Sequence, residues 1–461
     1  MSAVDIVVRG GTVVLPDEVK DADLFVRDGR IAGVVEPGTA ADAGETIDAT
    51  GLTVMAGMID THVHLRDPGQ PHRETFATGT SAAARGGVTT VLEMPSGVPA
   101  VSDRASLLGK RDIVGPKAFV DFCLYGGAGK SNITKIREQA NSGAIAFKSF
   151  MNAPRAGADP GMESRCLPDD ATFLAAMREV ATTGRVAVVH AENESICRAE
   201  ASRLRGTHRG GALAHAESRP AIAEEEAVVR ALTLAHSAGA RVSIAHVSTA
   251  GAVKAIRAAK ARGYLVTAEA CPHHLVRTAE GSRELGPYAK MNPPLRSETD
   301  VEALWEGVLD GTIDFIGSDH APYTTAEKEV GWADIWAAPP GVPGVEASLP
   351  ILMTAVHRGR LTLPQLTRIT ARNAAHTFGL APRKGELVAG ADADFVLMDL
   401  ARHERFDICE WQTKSRRSAR LWDGYEAVGV VRATFVRGHV VYRDGEIRGE
   451  QGYGHFLTPV I

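Results

Sequence analysis

Short apolar runs that alternate with amphipathic segments constrain the fold of this chain more than any other feature. Eight such runs occur, at residues 54–59, 88–94, 118–125, 144–150, 186–189, 242–245, 265–268 and 313–316. The segments between them carry helix-start signals, such as Ser297 and Asp300 at the spacing of a capping box. No phosphate-binding Gly-x-Gly-x-x-Gly follows the first run, which disfavours an open doubly wound sheet. We therefore predict an α/β fold, a closed (β/α)8 TIM barrel.

Strand-like pieces separated by turn residues precede and follow this alternating region. Residues 4–50 contain several such pieces, broken by Gly10-Gly11 and Asp28-Gly29, and similar pieces return after residue 379. Neither end has enough apolar surface to fold alone, and two separate appendages would leave sheet edges exposed. We predict that both termini build one small β-sandwich, with residues 1–53 as its N-terminal part, 54–379 as the barrel and 380–461 as its C-terminal part.

Composition excludes several classes of protein. A formal net charge of -5 and a pI near 6.4 disfavour a nucleic-acid partner. The five cysteines are scattered without Cys-x-x-Cys spacing, so neither a disulfide framework nor a thiolate zinc site is indicated, and a reducing compartment fits. There is no signal-peptide pattern at the N-terminus and no uncharged apolar run of membrane-spanning length. We predict a soluble, cytoplasmic protein with no membrane partner.

A His-x-His pair follows the first apolar run. Side chains alternate between the two faces of a strand, so His62 and His64 point the same way, as two ligands of one metal must. The pair alone is weak evidence, because polar residues are common at strand ends. Its interpretation depends on whether further ligands occur in equivalent positions.

The carboxyl ends of later runs carry further candidate ligands. They are Lys148 in the fourth run, His190 after the fifth, His246 after the sixth and Asp319 shortly after the eighth. Barrel enzymes keep their chemistry at these ends of the strands. One histidine there is more often hydrogen-bonded than metal-bound, but the joint placement of four histidines and an aspartate favours a metal site.

Lys148 is the unusual member of the set. An ordinary lysine is an ammonium ion at neutral pH and is repelled by a divalent cation. Carboxylation by CO2 would convert Lys148 into an anionic carbamate whose two oxygens could bridge two metals. The alternative is an ammonium ion paired with Asp319 or with a substrate carboxylate, and spacing alone leaves both interpretations open.

Motifs around these residues resemble those of the binuclear metal cyclic amidohydrolases, the family of hydantoinases or dihydropyrimidinases, allantoinases and dihydroorotases. The similar stretches are Glu93-Met94-Pro95, Phe147-Lys148-Ser149-Phe150-Met151, His190-Ala191-Glu192-Asn193, Ala245-His246-Val247-Ser248, Asn292-Pro293-Pro294-Leu295-Arg296 and Ser318-Asp319-His320. The similarity extends along nearly the whole chain, including the divided β-sandwich. The resemblance therefore implies a cyclic amidohydrolase.

The resemblance also implies roles for the candidate residues. Two divalent metal ions, expected to be Zn2+, would be bridged by carboxylated Lys148. The first metal would bind His62, His64 and Asp319, and the second would bind His190 and His246. Asp319 would be catalytic, taking a proton from the attacking water and passing it to the departing ring nitrogen. The resemblance further implies a homo-oligomer, a dimer or tetramer.

The sequence motifs that bear on the substrate point to different branches of the family. His64 to Gly69 resembles dihydroorotases, in which the arginine at the position of Arg66 holds the substrate carboxylate. Asn292 and His320 also occupy substrate-contact positions of that family. However, Ser96 stands where dihydroorotases usually have an asparagine, and residues 120–127, 285–288 and 327–336 resemble the hydantoinase and allantoinase branch. A different interpretation of Arg66 is a loop arginine paired with Asp67 or Glu93.

We therefore predict hydrolysis of the cyclic amide bond of a ureide ring, as in hydantoinases or allantoinases, giving an N-carbamoyl amino acid or ureido acid. Dihydroorotase is the alternative, and a non-catalytic family member is the remote one. The tyrosine that D-hydantoinases place after the carboxylated lysine is absent, since Asn152-Ala153 stands there, which disfavours a D-hydantoinase. Trp332 and Trp336, after the eighth run, either wall the pocket or pack on the barrel rim.

Overall fold

The computed structural model describes residues 4–154, 161–207 and 210–460. Its strands are β1 (Val4–Val14), β2 (Val19–Arg27), β3 (Arg30–Val35), β4 (Ala43–Asp48), β5 (Thr53–Ala56), β6 (Met58–Val63), β7 (Val88–Glu93), β8 (Asp121–Leu124), β9 (Gly126–Gly127), β10 (Phe147–Phe150), β11 (Val186–His190), β12 (Arg241–Ile244), β13 (Val266–Ala270), β14 (Phe315–Ile316), β15 (Phe395–Arg405), β16 (Glu426–Val436), β17 (His439–Arg443) and β18 (Glu446–Ile447).

Helices separate most of the central strands. They are α1 (Phe76–Arg85), α2 (Arg104–Val114), α3 (Ile136–Asn141), α4 (Asp170–Ala181), α5 (Glu194–Gly206), α6 (Gly211–Glu217), α7 (Ala221–Ser237), α8 (Ala250–Ala261), α9 (Pro272–Val276), α10 (Glu298–Asp310), α11 (Thr325–Glu329), α12 (Ser348–His357), α13 (Leu363–Thr367) and α14 (Asn373–Thr377). The predicted capping box at Ser297 and Asp300 is confirmed at the start of α10. That helix ends at Gly311, whose φ of 81° is the left-handed conformation that glycine adopts without strain.

The central strands form the predicted barrel. Strands β6 to β8 pair in parallel in one arc, and β9 to β14 pair in parallel in a second. The arcs join where Ile145 N–H donates to the Leu124 carbonyl at 2.9 Å, and where His64 N–H donates to the His320 carbonyl at 2.8 Å. Apolar faces of the surrounding helices pack on the barrel in one large core, to which Phe173 of α4 contributes. The predicted TIM-barrel fold is confirmed.

The two ends of the chain meet in one sheet. Its strand order is β18-β17-β16-β15-β5-β1-β2-β3, with β4 paired to β1. The junction is the antiparallel pair β5–β15, in which Leu397 lies opposite Val54. Phe395 and Phe435 stack in the core of this sheet, with ring centroids 4.3 Å apart. Pairing across the termini covers the edges that separate appendages would have exposed, as the sequence predicted.

The first apolar run differs from its prediction as one barrel strand. Residues 54–59 span parts of two strands, β5 in the terminal sheet and β6 in the barrel. Gly57 separates them, and a Cβ there would lie 2.1 Å from the side chain of Thr89. The close approach allows the chain to change sheets, so the terminal sheet extends beyond the predicted boundary at residues 53 and 54. The domain limits otherwise stay a prediction.

The C-terminal part of the chain also contacts the barrel directly. Thr413 Oγ1 donates to Glu74, which precedes α1. Leu457 N–H donates to the carbonyl of Phe122 in β8 at 2.8 Å. Residues 380–461 thus do more than complete the terminal sheet.

Within the described ranges, every helix is too short or too polar to cross a bilayer.

Candidate active site

The six predicted metal ligands line one cavity at the carboxyl ends of the barrel strands. The cavity has a volume of about 210 Å3, and its walls include His62, His64, Lys148, His190, His246 and Asp319. His62 lies in β6, Lys148 in β10 and His190 at the end of β11, while the others follow strand ends. Parallel strands in a closed barrel bring these carboxyl ends together, which explains why residues far apart in sequence meet here.

His62, His64 and Asp319 form the first cluster. Their ligand atoms lie within 4.8 Å of one another. Both histidines turn Nε2 toward Asp319 Oδ1, at 3.4 Å for His62 and 3.3 Å for His64. Their Nδ1 atoms point outward, to Glu269 Oε1 at 2.7 Å and to Ser96 Oγ at 3.2 Å respectively. A histidine whose outer nitrogen is held in this way presents its inner nitrogen in a fixed direction.

His190 and His246 form the second cluster. His190 Nδ1 lies 3.0 Å from His246 Nε2. The other nitrogen of His190 lies 2.7 Å from Glu192 Oε2, and Glu192 is bound by Arg219, whose Nε donates to Oε1 at 2.8 Å. This carboxylate fixes the orientation of the His190 ring, because it accepts the Nε2 proton and leaves Nδ1 facing His246.

Lys148 lines the cavity, and its Nζ lies 5.2 Å from the centre of the Phe150 ring. The residue is 1% exposed, and Nζ has no hydrogen-bond partner among the described residues. Burial lowers the pKa of Lys148 to about 8, although Glu269 and Asp319 oppose the shift. An ion pair with Asp319, one of the two interpretations of this lysine, is not formed. A buried amine without a partner is costly, which indicates that something absent from the polypeptide satisfies it.

Burial and charge set the protonation states that metal ligands need. Burial lowers the pKa of His64 to about 3 and lowers those of His190 and His246 as well, so these rings are neutral near pH 7. Burial would raise the pKa of Asp319, but the nearby His62 and His64 outweigh it and hold that pKa well below its usual range. Neutral imidazoles and an ionised carboxylate are the forms that bind metal.

Three residues at the rim of the cavity have left-handed backbone conformations. The φ angles are 61° for Arg66, 38° for His246 and 45° for Asp319. Such angles are uncommon for residues other than glycine and cost of order 1–3 kcal/mol each. All three side chains line the cavity. The strain falls where the chain turns functional side chains inward.

Arg66 and Asn292, two predicted substrate contacts, line the cavity. The Arg66 guanidinium lies 4.7 Å from the ring centre of Tyr323. Lys117 pairs with Asp67 at 2.7 Å and Lys110 pairs with Glu93 at 2.7 Å. Both acidic residues considered as partners of Arg66 therefore form ion pairs with lysines.

His215 orients the Asn292 amide. His215 Nε2 lies 3.1 Å from Asn292 Oδ1 and 3.0 Å from the Met291 carbonyl. Burial lowers the pKa of His215 to about 3, so the ring is neutral and Nε2–H donates to both oxygens. With its oxygen bound, Asn292 has its amide N–H groups for other contacts.

His320, the third predicted substrate contact, lies behind the cavity wall. It is 0% exposed and does not line the cavity. Nε2 lies 3.3 Å from Glu74 Oε2, and Nδ1 accepts from Gly344 N–H at 3.1 Å. Both ring nitrogens of His320 thus have protein partners. Because His320 follows Asp319 directly in the chain, these contacts hold the backbone next to Asp319.

Trp332 and Trp336 lie in different surroundings. Trp336 lines a larger outer cavity of about 870 Å3, which shares Asn292 and Tyr323 with the site cavity. Trp332 lines neither cavity, and it is 56% exposed while its ring packs on Gly286. Trp336 thus forms part of a pocket wall, whereas Trp332 packs on the rim.

Sequence reasoning missed the residues that support the ligands. Glu269 lies in β13 and binds His62 Nδ1 and Thr61 Oγ1, at 2.7 and 2.6 Å. A charged residue within an apolar run near its carboxyl end was the available signal. The role of Glu192 had a weaker signal, because its partner Arg219 lies on a different loop.

The donor set fits a pair of divalent metals. Inner histidine nitrogens converge in two groups, and one histidine of each group has its outer nitrogen held by a glutamate, His62 by Glu269 and His190 by Glu192. His246 Nδ1 and Lys148 Nζ are buried without a hydrogen-bond partner in the described part of the chain. Nitrogen and oxygen donors of this kind suit zinc and similar ions.

Comparisons with known proteins agree with this geometry. Residues 53–441 match the model of the amidohydrolase family. The chain is 37% identical to an L-hydantoinase of Paenarthrobacter aurescens over 98% of both chains, and 38% identical to an allantoinase of Rubrobacter xylanophilus over 100% of this chain and 98% of that one.

Solved structures of hydantoinases are also similar to this chain. The L-hydantoinase (dihydropyrimidinase) from Arthrobacter aurescens superposes with a TM-score of 0.94 at 37% identity, covering 99% of this chain and 100% of that chain. A D-hydantoinase structure superposes with a TM-score of 0.89 at 31% identity, covering 98% of each chain. The chain belongs to the amidohydrolase family.

Proposed function

We propose that this protein hydrolyses the cyclic amide bond of a ureide ring, in the manner of a hydantoinase or allantoinase, and releases an N-carbamoyl amino acid or ureido acid. The observation that carries the proposal is that two histidine clusters and the buried Lys148, whose Nζ has no hydrogen-bond partner among the described residues, line one cavity. Full-length similarity to an L-hydantoinase and to allantoinases supports the same reaction.

Lys148 is proposed to be carboxylated. The neutral Nζ attacks the carbon of CO2, a new N–C bond forms, and one proton is released to solvent. The resulting carbamate is an anion with two oxygens, so it removes the repulsion between an ammonium ion and a cation. One Zn2+ would be held by His62, His64 and Asp319, and the other would be held by His190 and His246. The Lys148 carbamate would bind both ions.

The metals would supply a water that is deprotonated near neutral pH and would polarise the ring carbonyl. Asp319 is the proton carrier: its carboxylate lines the cavity and is ionised near neutral pH, so it has an oxygen that accepts a proton from the attacking water. It then gives that proton to the departing ring nitrogen, without which an amide nitrogen leaves poorly. Glu269 and Glu192 keep the histidine rings oriented throughout.

Arg66 and Asn292 are proposed to hold the ring. Both line the cavity, and the Asn292 amide N–H groups can donate to a ring oxygen. The Arg66 guanidinium favours a ring that carries a carbonyl oxygen or a carboxylate at its side. That observation keeps dihydroorotase as the second candidate, since dihydroorotate has such a carboxylate. His320 is proposed as a positioning residue.

A panel of rings tests the function. Ring opening is measured with the zinc-loaded protein on hydantoin, 5-substituted hydantoins, dihydrouracil, allantoin and dihydroorotate, with Asp319→Asn as the inactive control. The proposal expects activity on a hydantoin or allantoin, and loss of that activity in the control. Preference for dihydroorotate would establish the second candidate instead, and inactivity on every ring would reject both.

Compartment and assembly are also proposed. All five cysteines are free, which supports the reducing cytoplasm. A dimer or tetramer is expected, and the mass of the particle in solution, measured by light scattering, tests it.

A further inference from the structure

A buried lysine outside the metal site connects two segments of the cavity wall. Lys328 is 0% exposed. Its Nζ donates to the carbonyl oxygens of Lys290 at 3.1 Å, Pro339 at 3.0 Å and Gly341 at 2.9 Å. One partner belongs to the segment before α10, and the other two belong to the segment before α12. Lys328 therefore joins two parts of the chain that are distant in sequence.

Both segments reach the site cavity. Asn292, which follows Lys290 by two residues, lines it, and so do Pro340 and Gly341. The two segments also bond directly, since Gly341 N–H donates to the Lys290 carbonyl at 2.9 Å. Lys328 itself does not line the cavity. It can influence substrate only through the segments it holds.

Lys290 reinforces the same wall. Its Nζ donates to the carbonyl oxygens of Ile335 at 2.7 Å and Ala338 at 2.5 Å. Two ammonium groups thus bind carbonyls of the segment from Ile335 to Gly341. Carbonyl oxygens that are held by lysines cannot turn toward a ring oxygen in the cavity, where they would repel it.

The chemistry of Lys328 indicates a geometric role. An ammonium ion has three N–H donors, and three carbonyl oxygens satisfy them. Burial and the neighbouring Lys290 lower the pKa of Lys328, whereas the three carbonyl acceptors favour the protonated amine, the form that can donate to all of them, so the protein bears a cost for holding the ion here. Buried charges of this kind contribute little net stability compared with apolar residues, but they fix the atoms that they bind.

We propose that Lys328 is a positioning residue for substrate binding, which holds Asn292 and the Pro340–Gly341 segment at the separation that the ring requires. The inference deepens the proposed function and rests on it for the identity of the ring. Because Lys328 contacts none of the proposed metal ligands and does not itself line the cavity, it acts on binding of the ring and leaves metal loading and proton transfer unchanged.

The test is Lys328→Met, which preserves length and volume but removes every N–H donor. On the best ring of the panel we expect KM to rise about tenfold, with kcat within about twofold of wild type. Metal content should match wild type. Lys328→Arg keeps a cation with N–H donors but a different shape, so we expect a smaller rise in KM, about threefold.

Lys260→Met is the matched control. Lys260 Nζ also binds a main-chain carbonyl, that of Gly311 at 2.9 Å, together with Asp314 at 2.6 Å, but it lines neither cavity. Its loss should reduce stability and leave KM unchanged. Lys260 is partly exposed, so the control separates loss of a lysine-to-carbonyl hydrogen bond in general from loss of the ones made by Lys328.

Each outcome has one meaning. A folded Lys328→Met protein with wild-type KM overturns the inference and leaves the proposed function intact. If Lys328→Met does not fold, Lys328→Arg decides, and an unchanged KM in that variant overturns the inference. A fall in kcat of Lys328→Met with an unchanged KM would also overturn the inference. Inactive wild-type protein on every ring would instead reject the proposed function and this inference with it.

Discussion

Lys148 and Lys384 are both buried, at 1% and 2% exposure, but they lie in opposite surroundings. At the carboxyl ends of the strands, Lys148 Nζ has no hydrogen-bond partner in the described ranges. Beside the amino end of β8, Lys384 Nζ contacts Asp121 at 2.6 Å, Asp394 at 2.5 Å and Asp392 at 3.0 Å. One lysine is unsatisfied, and the other is bound by three carboxylates.

Their protonation differs accordingly. Burial lowers the pKa of Lys148 to about 8. Burial alone would also lower the pKa of Lys384, but the charges of Asp394, Asp121 and Asp392 outweigh it and raise that pKa above its ordinary value. A permanently charged, fully paired lysine joins the barrel to the terminal sheet. An unpaired lysine with a low pKa is available for chemistry, so partners rather than burial separate structure from function here.

Replacing Lys148 should have the largest effect. Lys148→Ala removes the group proposed to bridge the metals, so we expect metal content to fall and activity to drop by roughly 10^3-fold or more. A short carboxylate such as propionate, added to the variant, should restore part of both. Metal analysis and ring-opening rates check the prediction, and an unchanged rate in Lys148→Ala would contradict the bridging role.

Replacing Lys384 should affect stability and spare catalysis. Lys384→Met leaves Asp121 and Asp394 buried without their shared cation, so the free energy of unfolding should fall by about 3–5 kcal/mol. Metal content and kcat of the folded protein should stay at wild-type values. Urea denaturation and assays on the folded fraction measure the two quantities. Loss of metal from folded Lys384→Met would remove the distinction between the two lysines.

Glu269→Gln tests the carboxylate that orients His62. The substitution keeps the shape but removes the charge opposite His62 Nδ1, so metal affinity should weaken about 10- to 100-fold. Competition with a chelator measures the affinity. Ser96→Ala is the matched control beside His64, and its effect should be smaller because the 3.2 Å contact is uncharged. Equal effects would show that the Glu269 charge has no special role.

The pKa of Lys148 leads to a prediction about pH dependence, for which the expected change in rate is smaller. Only the neutral amine attacks CO2, and with a pKa of about 8 its fraction rises from about one tenth at pH 7 to about half at pH 8. The rate at which metal-free protein regains activity with zinc, at a fixed concentration of dissolved CO2, should rise about fivefold over that interval. A rate that keeps rising tenfold per pH unit above pH 9 would indicate an ordinary lysine.

Periodicity and strand ends predicted much of the fold and which side chains meet in the cavity. Alternation in a strand placed His62 and His64 on one side, and both now face Asp319. The rule that barrel chemistry lies at carboxyl ends brought Lys148, His190 and His246 into the same set. These inferences succeed because local geometry and one fold rule determine them.

Contacts between distant parts of the chain could not be predicted. Val54 and Ile59 belong to one apolar run, and the strand pairing in the folded protein shows that the run changes sheets at Gly57, which packs closely on Thr89. His320 matched a substrate-contact motif, which gave no indication that Glu74 and the Gly344 backbone N–H bind its two ring nitrogens. The sequence does not reveal such partners, because they depend on which loops meet in the folded protein.

Carbon NMR of the protein equilibrated with isotope-labelled bicarbonate tests the central claim most directly. The account predicts one carbamate signal per chain in the zinc-loaded wild type, retained in Lys384→Met and absent from Lys148→Ala. A fully metal-loaded, active enzyme without a carbamate signal would contradict it.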